Sequence, residues 1–118
     1  EARFLIEMVY GKSFSVVTPN NTISGFTFNA DGTGYIQTPP NADNNYNNND
    51  ISSITWQVSR TGTLTFTETE GDGETWQWTI LASDTSPNAT SFIWYSSGRQ
   101  ENGLYGLEKG TGIMTPMP

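Results

Sequence analysis

The sequence predicts an all-β domain, an antiparallel up-and-down meander of about eight short strands closed into a barrel, with a β-sandwich as the alternative. Three observations predict this class. Apolar and polar residues alternate with a period of two from Lys12 onward. Turn-forming Gly, Asn, Asp and Pro bound the apolar segments at short intervals. Four Trp, five Tyr and six Phe supply the large apolar area that a small core needs, and 118 residues fit a single domain.

The first ten residues differ from the rest of the chain. Phe4, Leu5, Met8 and Val9 fall at helical spacing, and Gly11 follows as a stop signal. This spacing predicts one or two turns of helix. A helix this short persists only when it packs on something, so we expect it to close one end of the barrel.

Eight segments carry the strand signature, being rich in Thr, Ile, Val and aromatic residues and bounded by turn residues. The predicted strands are residues 12–17, 23–29, 33–38, 51–59, 63–68, 74–82, 90–97 and 103–109.

Two hairpins can be placed in register from their turn chemistry alone. Residues 29–33 and 59–63 each form a three-residue loop with Gly in the left-handed position. Each loop fixes a register that pairs apolar residues on one face of the sheet. The pairs are Phe26 with Ile36, Phe28 with Gly34, Trp56 with Phe66 and Val58 with Leu64. The turn chemistry and the alternation along the strands therefore agree.

Extending this phase along the chain predicts an aromatic interior. Its members are Phe14, Val16, Phe26, Phe28, Ile36, Ile54, Trp56, Val58, Leu64, Phe66, Trp76, Trp78, Ile80, Phe92 and Trp94. The last strand stays ambiguous, because either Leu104 or the pair Tyr105 and Leu107 could point inward. Residues 114–118 are predicted to be a frayed tail.

The charge balance and two absences exclude several classes of function. The net charge is −7, and the five basic residues are scattered, which argues against a nucleic-acid partner. No apolar run is long enough to span a membrane. The chain contains no Cys and no His, so disulfides, imidazole catalysis and zinc sites built on either residue are excluded. We expect no cofactor.

Acidic segments offer weaker chemical hypotheses. The Asn-rich loop 39–50, with Asp43, Asp50 and a lone Tyr46, holds oxygen ligands that Ca²⁺ accepts, but its spacing matches no calcium loop. Glu68, Glu70 and Glu74 could supply the two carboxylates of a glycosidase. Solvated turns explain both groups more simply, so we predict neither a metal site nor catalytic residues.

An aromatic stripe is the strongest candidate for a ligand site. We predict that a ligand contacts Phe28, Trp56, Phe66, Trp76, Trp78 and Trp94. The same residues could instead form a packed core or a stacking surface for sugar rings, and an eight-stranded barrel can be filled or can hold one small molecule.

The order of elements resembles bacterial lipocalin-like domains of the calycin type. Gly11-Lys12-Ser13-Phe14 opens the first strand after a short helix, although Phe14 stands one position later than the Trp of the Gly-x-Trp motif that many such domains carry. Residues 26–34 and 54–58 are similar to hairpins of that group. The resemblance implies an up-and-down barrel that binds a small apolar or amphipathic molecule.

The leading interpretation is a non-enzymatic, lipocalin-like domain that binds a small ligand, located in the cell envelope, the periplasm or outside the cell. The alternative is a carbohydrate-binding module from a larger secreted enzyme, which exposed tryptophans would favour. A third possibility is a structural or adhesive domain without a ligand. The oligomeric state is not predicted.

Overall fold

The chain forms a closed eight-stranded antiparallel barrel preceded by one short helix. We describe it from a computed structural model that covers residues 2–39, 50–71, 73–99 and 105–118. Each strand pairs with its neighbours in sequence, and the last strand pairs with the first. The predicted meander is confirmed, and the barrel replaces the sandwich alternative.

The elements follow the predicted order along the chain. They are α1 (Ile6–Val9), β1 (Lys12–Val17), β2 (Gly25–Phe28), β3 (Thr33–Thr38), β4 (Asp50–Val58), β5 (Thr63–Thr69), β6 (Thr75–Thr85), β7 (Thr90–Arg99) and β8 (Tyr105–Pro116).

Both predicted hairpins are confirmed in their turn type and in their register. Gly32 and Gly62 have φ of 90° and 92°, the left-handed conformation that glycine adopts without strain. The register pairs Phe26 with Ile36 and Trp56 with Phe66. Between β5 and β6, the Glu70 N–H donates to the Glu74 carbonyl and the Gly73 N–H to the Glu70 carbonyl, as the corresponding groups do in the two hairpins, and Gly73 has φ of 88°.

Aromatic rings fill the centre of the barrel. Phe26 contacts Phe66 and Phe92 at centroid distances of 5.6 and 5.9 Å, and Phe28 contacts Phe14 at 6.0 Å. Of the fifteen residues expected inside, all are buried except two that pack against the core while partly exposed. The partly exposed members are Val58 and Trp76, and the buried set also includes Phe4, Val9, Ile23 and Met114.

The two ends of the barrel are built differently. The closed end carries α1 and the hairpin loops 29–33 and 59–63. There, Phe4 and Val9 of the N-terminal segment are fully buried, and the Phe4 backbone N–H donates to the Gly62 carbonyl at 2.9 Å. Among the described residues, the opposite end, which we call the open end, carries the β1–β2 connection, residues 18–24, and Glu70 and Glu74 of the β5–β6 connection.

The prediction of a frayed tail was wrong for its first part. Strand β8 continues to Pro116, which pairs with Phe14, and Met114 is only 1% exposed. The Met117 N–H also donates to the Ser13 carbonyl at 2.9 Å. Closing the barrel explains this length, because β1 would otherwise be left with an unpaired edge.

Of the two alternatives for the inward face of β8, the pair Tyr105 and Leu107 is wrong, because these side chains are 73% and 84% exposed and lie on the outer face. Leu104, the other alternative, is outside the described residues and stays a prediction. Three glycines, one acid and one methionine take the inner positions of this strand. They are Gly106, Glu108, Gly110, Gly112 and Met114.

Most of the predicted Asn-rich loop falls on residues 40–49, which lie outside the described residues together with Asp43 and Tyr46. Asp50, at its end, is the first residue of β4. The connection between the predicted strands 74–82 and 90–97 is partly strand, because β6 runs to Thr85 past an irregularity between Ala82 and Asp84.

Candidate functional site

A cavity of about 710 Å³ occupies the open end of the barrel. This volume falls in the range of small-molecule sites. The cavity is lined from five strands and three strand connections. The lining residues are Asn20, Asn21, Thr22, Thr38, Pro39, Glu68, Glu70, Trp76, Trp78, Trp94, Ser96, Glu108 and Lys109.

Strand alternation brings the inner members of this set together. Trp78 on β6 lies directly across from Ser96 on β7, and Ser96 lies across from Glu108 on β8. Because residues two apart share a face, Trp76 and Trp94 occupy the same inner surface. The cavity therefore has a continuous wall from β6 to β8.

Three tryptophans form the apolar part of this wall. The Trp78 and Trp94 rings lie 5.0 Å apart between centroids, and Trp78 stacks on Phe66 below it at 5.5 Å with a 17° interplanar angle. Trp78 and Trp94 are buried, while Trp76 is half-buried nearer the rim. The arrangement offers flat apolar surfaces at graded depth.

Glycines opposite the rings keep these aromatic side chains against the wall. Trp94 faces Gly110 across the strands, and a methyl group at Gly110 would lie 2.6 Å from the Trp94 Nε1 atom. Trp76 covers Gly98 in the same way. Since no side chain projects from these glycines, each ring can lie over its neighbouring strand.

Polar groups lie among the tryptophans. The Trp78 Nε1–H donates to Glu68 Oε1 at 2.9 Å, and Glu68 is only 8% exposed. Within the part of the chain that the structure describes, the buried Trp94 Nε1 and Ser96 Oγ atoms have no hydrogen-bond partner. Such atoms are rare, because each costs about 1–3 kcal/mol when left unsatisfied. Both atoms belong to residues that line the cavity, where a bound molecule would supply the missing hydrogen bonds.

The residues predicted from the aromatic stripe divide into three groups by their position in the barrel. Trp76, Trp78 and Trp94 line the cavity. Phe28 and Phe66 lie beneath it in the core.

Trp56 belongs to the opposite end of the barrel. Its Nε1–H donates to the carbonyls of Asn29 at 3.0 Å and Thr33 at 3.1 Å, which ties it to the β2–β3 hairpin. That Phe28, Trp56 and Phe66 contact a ligand stays a prediction.

Sequence reasoning missed Ser96 and Glu108 on the wall from β7 to β8, and it did not place Glu68 in the ligand site. Ser96 and Glu108 are in phase with Trp94 and with the β8 glycines, and this period-two spacing was the available signal. Glu68 was considered as one of a pair of catalytic carboxylates. The structure places it beneath the tryptophans as a hydrogen-bond acceptor for Trp78.

The described ranges contain neither a candidate metal site nor a candidate membrane-spanning helix. Residues 2–39, 50–71, 73–99 and 105–118 contain no group of three or more His, Cys, Asp or Glu placed to hold a metal ion. None of the helical segments in those ranges is long and apolar enough to cross a membrane.

Comparison with known proteins supports the architecture. No protein-family model matches the chain, and no curated protein matches it in sequence. The crystal structure of a rhizavidin–biotin complex is similar to it, with a TM-score of 0.51 and 17% identity, over 93% of this chain and 96% of that one. At this identity the likeness is one of fold, that of a closed eight-stranded antiparallel barrel.

Proposed function

We propose that this barrel is a non-enzymatic binding protein that holds a small, ring-containing amphipathic molecule at its open end. The observation that carries the proposal is a pair of buried polar atoms, Trp94 Nε1 and Ser96 Oγ, which belong to cavity-lining residues and have no hydrogen-bond partner in the described ranges. Proteins provide hydrogen bonds to nearly all such atoms, because burying one without a partner is unfavourable. A ligand that pairs with these two atoms offsets that desolvation penalty, and the gain contributes to its binding free energy.

The aromatic wall suits the apolar part of such a ligand. Trp76 and Trp78 present ring surface at two depths, and the Trp78–Trp94 contact fixes the deeper rings in place. Rigid aromatic walls lose little conformational entropy on binding, which favours a ring or a short chain lying against them.

The structural neighbour supports the same class of function. Rhizavidin was crystallised with biotin, a small molecule, and its barrel matches this chain over nearly all of both lengths. Biotin, in the form of its neutral amide, is therefore a reasonable first probe. The proposal keeps the lipocalin-like character predicted from the sequence, in the sense of a calycin-type barrel that holds its ligand at one end.

The carbohydrate-binding alternative has less support. Exposed tryptophans would favour it, whereas Trp56, Trp78 and Trp94 are buried and Trp76 is half-buried. A location in the envelope, the periplasm or outside the cell stays a prediction.

The four tryptophans provide a direct test by nuclear magnetic resonance. Their indole N–H groups give four signals in a ¹⁵N–¹H spectrum, which single Trp→Phe variants assign. We titrate with biotin amide, which keeps the rings of biotin without its negative charge, and with 4-phenylbutanol, a neutral ring compound with one hydroxyl. Either probe should shift the Trp78 and Trp94 signals and leave the Trp56 signal unchanged.

Two outcomes would overturn this proposal. One is that neither probe moves the Trp78 and Trp94 signals at millimolar concentration. The other is that a probe moves Trp56 instead, which would locate binding at the closed end. As a matched pair, Trp94→Phe should weaken binding of the active probe, whereas Trp56→Phe should not.

A further inference from the structure

We propose that the ligand carries a small organic cation, such as a protonated amine, held by Glu68 and Glu108 between the tryptophans. This inference rests on the proposed function and names the chemical class of the ligand's polar group.

The charges that line the cavity are predominantly negative. Glu68 is buried on the inner face, Glu108 takes an inner position of β8 with its side chain exposed at the mouth of the cavity, and Glu70 lies at the rim. Lys109 is the basic residue of the described lining, and it belongs to the outer face of β8, where it pairs with Tyr95. A positively charged group at the inner wall would therefore meet acids, whereas a carboxylate or phosphate would be repelled.

Glu68 is oriented so that its carboxylate can accept hydrogen bonds from a ligand. Its Oε1 accepts from Trp78 at 2.9 Å, which fixes its orientation, and a carboxylate has room for about four such bonds. A buried charge is costly unless it is paired and hydrogen-bonded. An ammonium group supplies the compensating charge and three N–H donors.

Ser96 supplies an independent indication of a ligand. It is 2% exposed, its hydroxyl has no partner within the described residues, and it lies between Trp78 on one strand and Glu108 on the next. A hydroxyl can accept as well as donate, so it can receive one N–H of an ammonium group. A carboxylate and a hydroxyl beside the same point are what a multi-donor cation needs.

The tryptophan faces add a second attraction for a cation. The negative face of an indole ring attracts an ammonium group within about 6 Å of its centroid, and the effect is larger when water is excluded. Trp78 and Trp94 lie close together beside Glu68, and Trp76 lies nearer the rim. The net charge of −7 also attracts cations toward the protein.

Three probes that share one skeleton test the sign of the charge. 4-Phenylbutylamine, 4-phenylbutanol and 4-phenylbutyrate differ only in their polar end, being cationic, neutral and anionic at neutral pH. We expect the amine to bind about tenfold more tightly than the alcohol, as a charge-assisted hydrogen bond predicts. The carboxylate should bind most weakly. The measurement is the titration of the Trp78 and Trp94 indole signals.

Glutamine variants locate the effect. Glu68→Gln retains an oxygen acceptor for Trp78, so the fold should persist, and it should lower amine affinity about tenfold while leaving alcohol affinity unchanged. Glu108→Gln should act in the same direction. Glu7→Gln on α1 makes the same change in net charge at the other end of the barrel and should change neither affinity.

The outcomes separate this inference from the function on which it rests. Equal affinity for amine and alcohol, or equal effects of Glu7→Gln and Glu68→Gln, would overturn the cation proposal and leave small-ligand binding intact. Failure of all three probes to shift Trp78 or Trp94 would overturn both.

Discussion

The closed and open ends of the barrel use tryptophan in opposite ways. At the closed end, the Trp56 Nε1–H binds two backbone carbonyls of the adjacent hairpin, and α1 covers the core. At the open end, the equivalent atom of Trp94 is buried without a partner among the described residues, and Trp94 lines a cavity. The indole N–H group thus has hydrogen-bond partners at the closed end, where it stabilises the fold. At the open end it has none in the described part of the chain, and a ligand would supply one.

This difference teaches where to look for function in a small barrel. Aromatic content alone does not distinguish core from site, since both ends are rich in rings. Hydrogen-bond accounting does distinguish them, because an unsatisfied buried group is tolerated mainly where it serves another purpose.

The largest expected effect is a difference in stability between tryptophans at the two ends. Trp56→Ala should lower the free energy of unfolding by about 3–5 kcal/mol, because it removes a buried ring that contacts Phe28. Trp76→Ala should cost less than half as much, because Trp76 is already half-exposed. Urea denaturation followed by circular dichroism measures both.

If both variants lower the free energy of unfolding equally, the tryptophans at the two ends do not differ in their contribution to stability, contrary to this comparison. A loss below about 0.5 kcal/mol for Trp56→Ala would mean that this ring behaves as a surface residue, and the closed end would not be a core.

A smaller change in stability is expected from variants of the glycines against which Trp94 and Trp76 pack. Gly110→Ala should destabilise the protein by about 1–3 kcal/mol, because the added methyl group collides with the buried Trp94 ring. Gly98→Ala introduces the same methyl group under Trp76, which is half-buried and can move outward, so its cost should be lower. Thermal melts of the two variants give the ranking.

Should Gly98→Ala prove the more damaging variant, the Trp76 ring would be held more rigidly than its exposure indicates. Gly106 serves as a control on β8, and its alanine variant reports the general effect of replacing an inner glycine of this strand.

The fold could be predicted because its determinants are local. Turn residues such as Gly32 and Gly62, with the alternation around Phe26 and Trp56, fix strand register over a few residues. The closure of β8 on β1 is a contact across nearly the whole chain, and no local pattern announces it. For that reason the pairing of Phe14 with Pro116 was missed.

The candidate site could be predicted only in its apolar half. Hydrophobic periodicity marks Trp76, Trp78 and Trp94 as inward residues. It ranks Ser96 and Glu108 as surface residues, because polar side chains are usually outside. Only the strand register shows that they share the inner face with Trp94.

A third prediction concerns the incomplete polar group itself. Ser96→Ala should raise the stability of the ligand-free protein by about 1 kcal/mol, because it removes a buried hydroxyl that has no partner in the described structure. The same change should weaken binding of 4-phenylbutylamine. Urea denaturation and indole titration measure the two effects on one sample.

Thr18→Val is the matched contrast at a satisfied hydroxyl. The Thr18 Oγ1 atom accepts from the Thr22 N–H at 2.7 Å, so this variant should destabilise the protein where Ser96→Ala stabilises it. Destabilisation by both variants would show that Ser96 already has a partner, such as water, and would weaken the reading of the open end as incomplete.

The smallest expected effect belongs to the closed end and depends on pH. Asp31 in the β2–β3 loop accepts from the Thr33 hydroxyl at 2.6 Å and from the Thr33 N–H at 3.0 Å, and these bonds lower its pKa below the ordinary value of 3.8. A group with a lowered folded-state pKa stabilises the fold above its unfolded-state pKa, and this contribution disappears as pH falls through the folded-state pKa. Asp31→Asn should therefore lower the melting temperature slightly at neutral pH, and the difference from the parent protein should vanish on acidification. The corresponding loop position, Thr61, does not titrate, so Thr61→Asn should give a difference independent of pH. If the difference in melting temperature between Asp31→Asn and the parent protein persists in acid, the charge of Asp31 does not contribute to stability. The closed end would then be stabilised by its turn geometry and its buried rings alone.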